Sequence, residues 1–165
     1  MRDMVYLSAS LGGNSRAESL KRAAAIDWFD CSAAVGAHCI VGDLLHFDPR
    51  RALDAEENAD NLVRLAQVYS QIVQAWGGPV RIVTAFCPEP YSRLLGRPEN
   101  CLHARAMALD LVPLDSDCDH FHRWLTKRWS GGLVRHPGSI HLDLRNKGRF
   151  SVKANLRPTV TWLTS

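Results

Sequence analysis

The sequence predicts an α+β domain in which helices pack on a small, mainly antiparallel sheet. After Asp60, apolar residues recur at steps of three and four residues, which is typical of an amphipathic helix. From 139 to 144, apolar and polar residues alternate, which is typical of a strand with one buried face. Helices followed by strands of this kind indicate the α+β class.

Each predicted helix has a residue that can cap it and a recognisable end. The three helices run from 14 or 15 to about 28, from 60 to 76, and from 116 or 117 to 129. Their first residues are Asn, Ser or Asp, whose side chains accept a hydrogen bond from the first turn. Gly77-Gly78 ends the second helix and Gly131-Gly132 the third, because glycine readily adopts the left-handed conformation that closes a helix.

Strands are predicted where apolar residues form a short run or alternate with polar ones. They cover 80–86, 106–111, 139–144 and 159–163. A loop rich in Pro, Gly and Arg, at 88–100, follows the first strand and leads to His103. We expect Asp110 to end the second strand, so that its carboxylate follows a buried apolar run and needs a cation.

Two histidines and one aspartate, His103, Asp110 and His141, are the candidate metal ligands. Zinc accepts this ligand set and keeps a fourth position open, where water can bind and lose a proton near neutral pH. His141 lies in the alternating strand, so Asp143 shares its face and could orient a ligand or a water molecule. The alternative for Asp143 is a solvated strand residue.

The motifs around these ligands resemble those of the zinc D-alanyl-D-alanine peptidases, relatives of the lysostaphin and hedgehog metal folds. That family has an apolar strand ending Ser-Gly-Tyr-Arg, a Gly-rich loop, and then Ser-x-His-x-x-Gly-x-Ala-x-Asp. Here VRIVTAFC at 80–87 matches the strand and CLHARAMALD at 101–110 the second motif. Gly131-Gly132 and SIHLD at 139–143 resemble the family's closing Gly-Gly and His-x-Asp strand.

The resemblance implies a hedgehog-like fold with Zn²⁺ held by His103, Asp110 and His141. It implies hydrolysis of peptide bonds in peptidoglycan stem peptides, as a D,D-carboxypeptidase or an endopeptidase. His136 lies near the position of an auxiliary histidine in some members, and it could transfer protons between the attacking water and the leaving amine. Asp143 is the other candidate catalytic residue for managing these protons. The alternative is a loop histidine beside Pro137 with no role.

The chain departs from the family pattern at positions that handle substrate. The family's Arg is Cys87 here, the Ser before the first ligand is Cys101, and the first-motif Gly is Ala106. A Glu that many members carry three residues before the last ligand is Gly138. The role of the lost arginine could pass to another arginine, and the sequence does not select among Arg93, Arg105 and Arg145. We expect Cys87 and Cys101 to be small buried side chains, although a thiolate can also bind zinc.

Composition excludes several other classes of protein. The chain has 165 residues and a net charge of +3, and no apolar run approaches the length of a membrane span. Its basic C-terminal stretch shows no regular pattern of aromatic residues between the basic ones, so we expect an ordinary solvated face and not nucleic acid as a partner. Five cysteines without a CxxC pair fit a reducing compartment. We expect synthesis in the cytoplasm without a signal peptide, because the apolar region within residues 1–7 is too short to form one.

The predicted organisation is an N-terminal segment, 1–45, of unclear role and a zinc peptidase-like domain at 46–165. A wall hydrolase made without a signal peptide is typical of a bacteriophage, whose lysins reach the cell wall through a holin or in the virion. A rival hypothesis is a virion structural or wall-binding component that keeps the fold, with residues 1–45 docking on other virion proteins. A third is a basic binding domain with unrelated histidines; His38, His46, His120 and His122 have no motif around them.

Overall fold

The computed structural model describes Leu7 and residues 16–98, 100–145 and 151–153. It confirms the α+β class. The helices are α1 (Arg16–Ala24), α2 (Val41–Leu45), α3 (Ala59–Trp76), α4 (Glu89–Leu94) and α5 (Cys118–Thr126), with 3-10 turns at Pro49–Asp54, Glu56–Asn58 and Leu102–Arg105. The strands are β1 (Ala34–Gly36), β2 (Cys39–Ile40), β3 (Val80–Thr84), β4 (Ala108–Pro113), β5 (Gly132–His136), β6 (Ser139–Asp143) and β7 (Ser151–Lys153).

The central sheet has five strands in the order β3-β4-β6-β5-β7, and β1 and β2 form a separate antiparallel pair. All neighbours in the central sheet are antiparallel except β5 and β7, which are parallel. In the register between β4 and β6, Asp110 lies opposite His141 and Ala108 opposite Asp143. This register brings two of the predicted ligands together on one face of the sheet.

The hydrophobic core lies between the helices and the other face of the sheet. Leu109 and Leu111 of β4 and Ile140 and Leu142 of β6 are fully buried on that face. The apolar stripe of α3 belongs to the same cluster, and its buried residues include Leu62, Val63, Leu65, Ala66, Val68 and Ile72. Part of the predicted N-terminal segment belongs to the same core, since Val35, Cys39, Val41, Leu44 and Leu45 are buried in it. The role of residues 1–45 stays a prediction.

The helix ends agree with the predicted capping chemistry at two points and differ elsewhere. Gly77 ends α3 with φ 79°, and Asp117 caps α5 by accepting a 2.6 Å hydrogen bond from the amide of His120. The prediction that Asp60 caps α3 is wrong. Asn58 precedes the helix and Asp60 lies in its first turn, where a carboxylate is favourable beside the free amide groups. Helix α1 ends at Ala24 rather than near 28, and its predicted caps lie outside the described residues.

Three of the four predicted strands are present among the described residues, although their bounds differ from the predicted ones. Strand β6 is confirmed, whereas β3 ends at Thr84 and β4 begins at Ala108. Ala106 has φ 49° and closes the preceding 3-10 turn, so the predicted start of β4 at 106 is wrong. Asp110 therefore lies in the middle of β4, not at its end. The predicted strand 159–163 lies outside the described residues.

Several elements were not expected from the sequence, among them α2, the β1–β2 pair and β7. The predicted loop 88–100 contains α4, which has Pro90 in its first turn. Strand β5 occupies 132–136, where only a helix stop was expected, and it pairs with β6 across Pro137-Gly138. Among the described residues, no helix is long and apolar enough to cross a membrane.

Candidate metal centre

Three side chains converge on the face of the central sheet that lies opposite the hydrophobic core. Asp110 and His141 come from neighbouring strands, and His103 comes from the 3-10 turn before β4. The Nε2 atom of His103 lies 3.3 Å from Oδ1 of Asp110 and 3.2 Å from Nδ1 of His141. The same Oδ1 lies 2.8 Å from Nδ1 of His141. This is the group among the described residues that could hold a metal ion, and it contains all three predicted ligands.

The spacing of these three donor atoms fits one face of a coordination tetrahedron. With zinc–ligand bonds of about 2.0–2.1 Å, two ligand atoms of a tetrahedral site lie about 3.3 Å apart. The three separations here are 2.8, 3.2 and 3.3 Å. The side chains are thus arranged for a single small cation, and the fourth corner of the tetrahedron receives no ligand from this group.

The orientation of His103 is fixed by the backbone. Its ring is buried, and Nδ1 lies 2.8 Å from the carbonyl oxygen of Ala85. A carbonyl oxygen only accepts hydrogen bonds, so Nδ1 must carry the proton and donate it. The lone pair is therefore on Nε2, which points to Asp110 and His141. This second hydrogen bond is the usual way in which proteins prepare a histidine to bind a metal.

The second histidine has its other ring nitrogen beside Asp143. Nε2 of His141 lies 3.8 Å from Oδ2 of Asp143, while Nδ1 faces the donor group. At that distance the two atoms interact through charge rather than through a hydrogen bond. A proton on Nε2 is favoured by the nearby carboxylate, and it leaves the lone pair of Nδ1 free for a metal.

Asp143 is fully buried and held by an ion pair. Arg145 donates from Nε to Oδ1 at 2.9 Å and from Nη2 to Oδ2 at 2.7 Å, and its backbone amide donates to Oδ1 at 3.0 Å. The alternative of a solvated strand residue is wrong. Burial by itself raises the pKa of Asp143, but the Arg145 hydrogen bonds outweigh it and lower the pKa overall. The carboxylate is therefore ionised, and both of its oxygens already accept hydrogen bonds from Arg145. This favours a positioning role over proton transfer.

Gly131 and Gly132 leave the space that Asp143 fills. A Cβ atom added to Gly132 would lie 2.1 Å from Oδ2 of Asp143, and one added to Gly131 would lie 2.2 Å from its carbonyl oxygen. Neither position tolerates a side chain without moving the buried ion pair. The Gly-Gly sequence, expected to stop a helix, thus has a different function, which is to seat Asp143 behind His141.

Asp110 carries the negative charge of the donor group. Its burial raises its pKa, but hydrogen bonds and charge interactions with His103 and His141 outweigh that effect and hold the pKa well below its usual range. The carboxylate is therefore ionised, as a metal ligand must be. A single carboxylate with two neutral histidines also leaves a bound divalent ion with net positive charge, which favours an acidic water or a polarised carbonyl.

His136 lies beside the donor group at the end of β5. Its ring centre is 6.1 Å from that of His141, with the two rings nearly perpendicular. Partial burial lowers its pKa, while the charge of Asp110 acts in the opposite direction. The imidazole is therefore mainly neutral at neutral pH and can accept a proton. Its predicted catalytic role stays a prediction.

His46 also lies near the donor group, although the sequence offered no motif for it. It follows α2 with φ 55°, and Phe47 follows it with φ 53°. Two consecutive non-glycine residues in the left-handed region are unusual and cost of order 1 kcal/mol each. Partial burial, followed by the charges of Arg51, Arg97 and His103, lowers the pKa of His46. The positive charges of these neighbours disfavour a protonated His46.

The cysteines at the altered family positions do not join the donor group. Cys87 is buried, and its amide donates a 3.1 Å hydrogen bond to the carbonyl oxygen of His103. Cys101 is half-buried and precedes the 3-10 turn that carries His103. All five cysteines are free thiols. Cys87 thus supports His103 through its backbone, and the metal-capable group consists of nitrogen and oxygen donors.

The chain was compared with known proteins by two routes. No protein-family model matches it, and no curated protein matches it significantly.

Proposed function

We propose that the protein is a zinc-dependent peptidase that hydrolyses peptide bonds in peptidoglycan stem peptides, of the D,D-carboxypeptidase or endopeptidase type. The observation that supports this most strongly is the convergence of His103, Asp110 and His141 within 3.3 Å of one another. The resemblance of their flanking motifs to the D-alanyl-D-alanine peptidases supplies the substrate class. The proposed site of action is the bacterial cell wall, where the protein would act as a bacteriophage lysin or as part of a virion.

Zinc is the proposed metal because the donors are two imidazoles and one carboxylate. This ligand set with an open position is typical of hydrolytic zinc sites, whereas Ca²⁺ and Mg²⁺ prefer oxygen ligands throughout. When bound, zinc supplies an acidified water molecule and polarises the scissile carbonyl group. The buried hydrogen bond from His103 to Ala85 and the ion pair behind His141 prepare the donors for such an ion.

The other residues have separate proposed roles around the reacting atoms. His136 accepts a proton from the attacking water and donates it to the leaving amine, since it is the half-buried imidazole beside His141. Asp143, held by Arg145, keeps His141 in the tautomer that presents Nδ1 to the metal.

The experiment that tests this proposal combines metal analysis with a muropeptide digest. Purified protein loaded with one equivalent of zinc should release a new amine from muropeptides, and His103→Ala should abolish the release. Leu94→Ala is a matched control, because Leu94 is exposed on α4 and contributes to no core contact. Zinc-loaded protein that leaves every wall preparation intact would contradict the catalytic proposal.

A second candidate function is a virion structural or wall-binding component that keeps the fold with weak or no activity. The observation that favours it is Cys87, which is buried where the family has its substrate-handling arginine. Binding of the zinc-free protein to intact cell walls, with no release of amines after zinc is added, would support this candidate over the peptidase.

A further inference from the structure

The register between β3 and β4 shifts by one residue directly beside the candidate metal ligand Asp110. Ile82 of β3 pairs with Leu111 of β4. The adjacent residue of β4, Asp110, pairs with Thr84 rather than with Val83. Val83 is therefore an extra residue in β3, which makes a β-bulge. Bulges redirect side chains and occur often beside functional sites.

The bulge changes the face of the sheet on which Thr84 lies. In a regular strand Thr84 would share a face with Ile82, because side chains alternate along a strand. Ile82 packs against the hydrophobic core. The bulge instead pairs Thr84 with Asp110, and residues paired across two strands have their side chains on the same face, with Cβ atoms roughly 5 Å apart. Thr84 thus lies half-buried on the face that carries the metal donors.

The backbone next to Thr84 is held in place by a second metal donor. The carbonyl oxygen of Ala85, the following residue, lies 2.8 Å from Nδ1 of His103 and accepts its hydrogen bond. One residue further, the amide of Phe86 donates a 3.1 Å hydrogen bond to the carbonyl oxygen of Leu44. Thr84 therefore has one metal donor as its partner across the strands and another bound to the residue that follows it.

Both histidines of the donor group contact the same oxygen atom of Asp110. Nε2 of His103 lies 3.3 Å from Oδ1, and Nδ1 of His141 lies 2.8 Å from it. In metal sites the carboxylate that binds the ion is itself usually fixed by a hydrogen bond from the protein. A threonine hydroxyl can donate one such bond. Thr84 is the hydroxyl residue that the strand register places opposite Asp110.

We infer that Thr84 is a positioning residue of the metal centre, whose hydroxyl donates a hydrogen bond to Oδ2 of Asp110 once a metal ion is bound. This bond keeps Oδ1 turned toward the two histidines, and the bulge at Val83 is what places the hydroxyl there. The inference deepens the proposed function and rests on the part of it that concerns metal binding. Without the hydroxyl, the metal ion must order the Asp110 carboxylate by itself, which lowers its affinity.

The test measures metal binding by the full-length chain. Metal-free protein is titrated with zinc in competition with a chromophoric chelator, and with Co²⁺, whose visible absorption reports the arrangement of its ligands. Thr84→Val removes the hydroxyl and keeps the branched shape. It should weaken zinc binding about 10-fold, as is typical when a group that orients a metal ligand is lost, and it should change the cobalt spectrum. Thr84→Ser keeps a hydroxyl and should restore both.

Thr126→Val is the matched control. The Thr126 hydroxyl donates a 2.8 Å hydrogen bond to the carbonyl oxygen of His122 within α5, so this variant loses the same atoms at a helix that packs on the core. It should bind zinc as the wild type does. Chemical denaturation of the metal-free proteins shows that each variant folds, and Thr84→Ala replaces Thr84→Val, with the same expected result, if the valine variant does not.

Equal zinc affinity and identical cobalt spectra in the wild type and Thr84→Val would overturn the inference, as would a Thr84→Ser protein that behaves like Thr84→Val. Either result leaves the peptidase proposal standing, because the wild type still binds the metal. Absence of metal binding by the folded wild type would overturn both. A zinc-loaded wild type that releases no amine from muropeptides would contradict the peptidase proposal alone, since the metal titrations decide on Thr84 without a substrate.

Discussion

The two faces of the central sheet have opposite chemistry although they alternate along the same strands. On one face Leu109, Leu111 and Leu142 are fully buried against the helices. On the other, Asp110 and His141 face each other, with His103 closing the group. Because successive side chains of a strand point to opposite faces, each strand contributes to the core and to the site at once. The core therefore fixes the register that positions the metal donors.

Neighbouring substitutions in β6 should separate the two faces most clearly. His141→Ala should weaken zinc binding by well over 100-fold, because it removes one of three ligands, and should cost the metal-free fold only about 1 kcal/mol. Leu142→Ala should cost about 2–5 kcal/mol of unfolding free energy, because it leaves a cavity in the core. Zinc calorimetry and chemical denaturation of the metal-free proteins measure the two quantities.

If His141→Ala and Leu142→Ala, both measured as folded proteins, lose zinc affinity and unfolding free energy to the same extent, the two faces of the sheet do not act independently. It would mean that the donor group is itself part of the folding core.

The next largest effect is expected at Gly132, which leaves the space that the Asp143 side chain fills. Gly132→Ala should destabilise the protein by about 1–3 kcal/mol, because the added Cβ overlaps the buried carboxylate. It should also weaken zinc binding by about 10–100-fold, since Asp143 orients His141. Gly138→Ala is the matched control, because its added Cβ would meet nothing within 4 Å. If both variants bind zinc alike, Asp143 has no positioning role.

The smallest predicted effect lies on the helix side, at Tyr69. Its hydroxyl donates a 2.6 Å hydrogen bond to the carbonyl oxygen of Val80, joining α3 to β3. Burial, followed by electrostatic interactions with Cys39 and Asp43, raises the pKa of Tyr69 to about 12. The unfolded chain deprotonates first, so the free energy of unfolding should fall as the pH rises from about 10 to about 12.

Tyr69→Phe should remove this part of the pH dependence and cost about 1 kcal/mol at neutral pH. Denaturation curves between neutral and alkaline pH measure both effects. If the free energy of unfolding of the variant falls as steeply with alkaline pH as that of the wild type, the pKa of Tyr69 is not raised in the folded protein. Zinc affinity at neutral pH should be the same in both proteins, because Tyr69 lies on the core side.

The sequence was sufficient for features that depend on local chemistry. The cap at Asp117, the glycine end at Gly77 and the strand of His141 follow from residue type and periodicity. The three ligands were also predicted, because their motifs resemble a known family. The Glu-Pro pair at the start of α4 and the Pro137-Gly138 turn before β6 were readable signals for an unexpected helix and strand.

The contacts that support the backbone next to His103 could not be predicted from the sequence. The amide of Phe86 donates a hydrogen bond to Leu44 in α2, and Arg51 donates one to the carbonyl oxygen of Phe86. No spacing along the chain encodes such contacts. The function of Gly132 was missed for the same reason, since the group that needs its space, Asp143, lies on the neighbouring strand.

The central claim is that His103, Asp110 and His141 together bind one catalytic-type metal ion. The most direct measurement is a calorimetric titration of the metal-free, full-length protein with zinc, beside Asp110→Asn. The account predicts saturable binding of one zinc ion per chain by the wild type and a loss of affinity of well over 100-fold in the variant. Absence of saturable zinc binding by the folded wild type, or equal binding by Asp110→Asn, would contradict it.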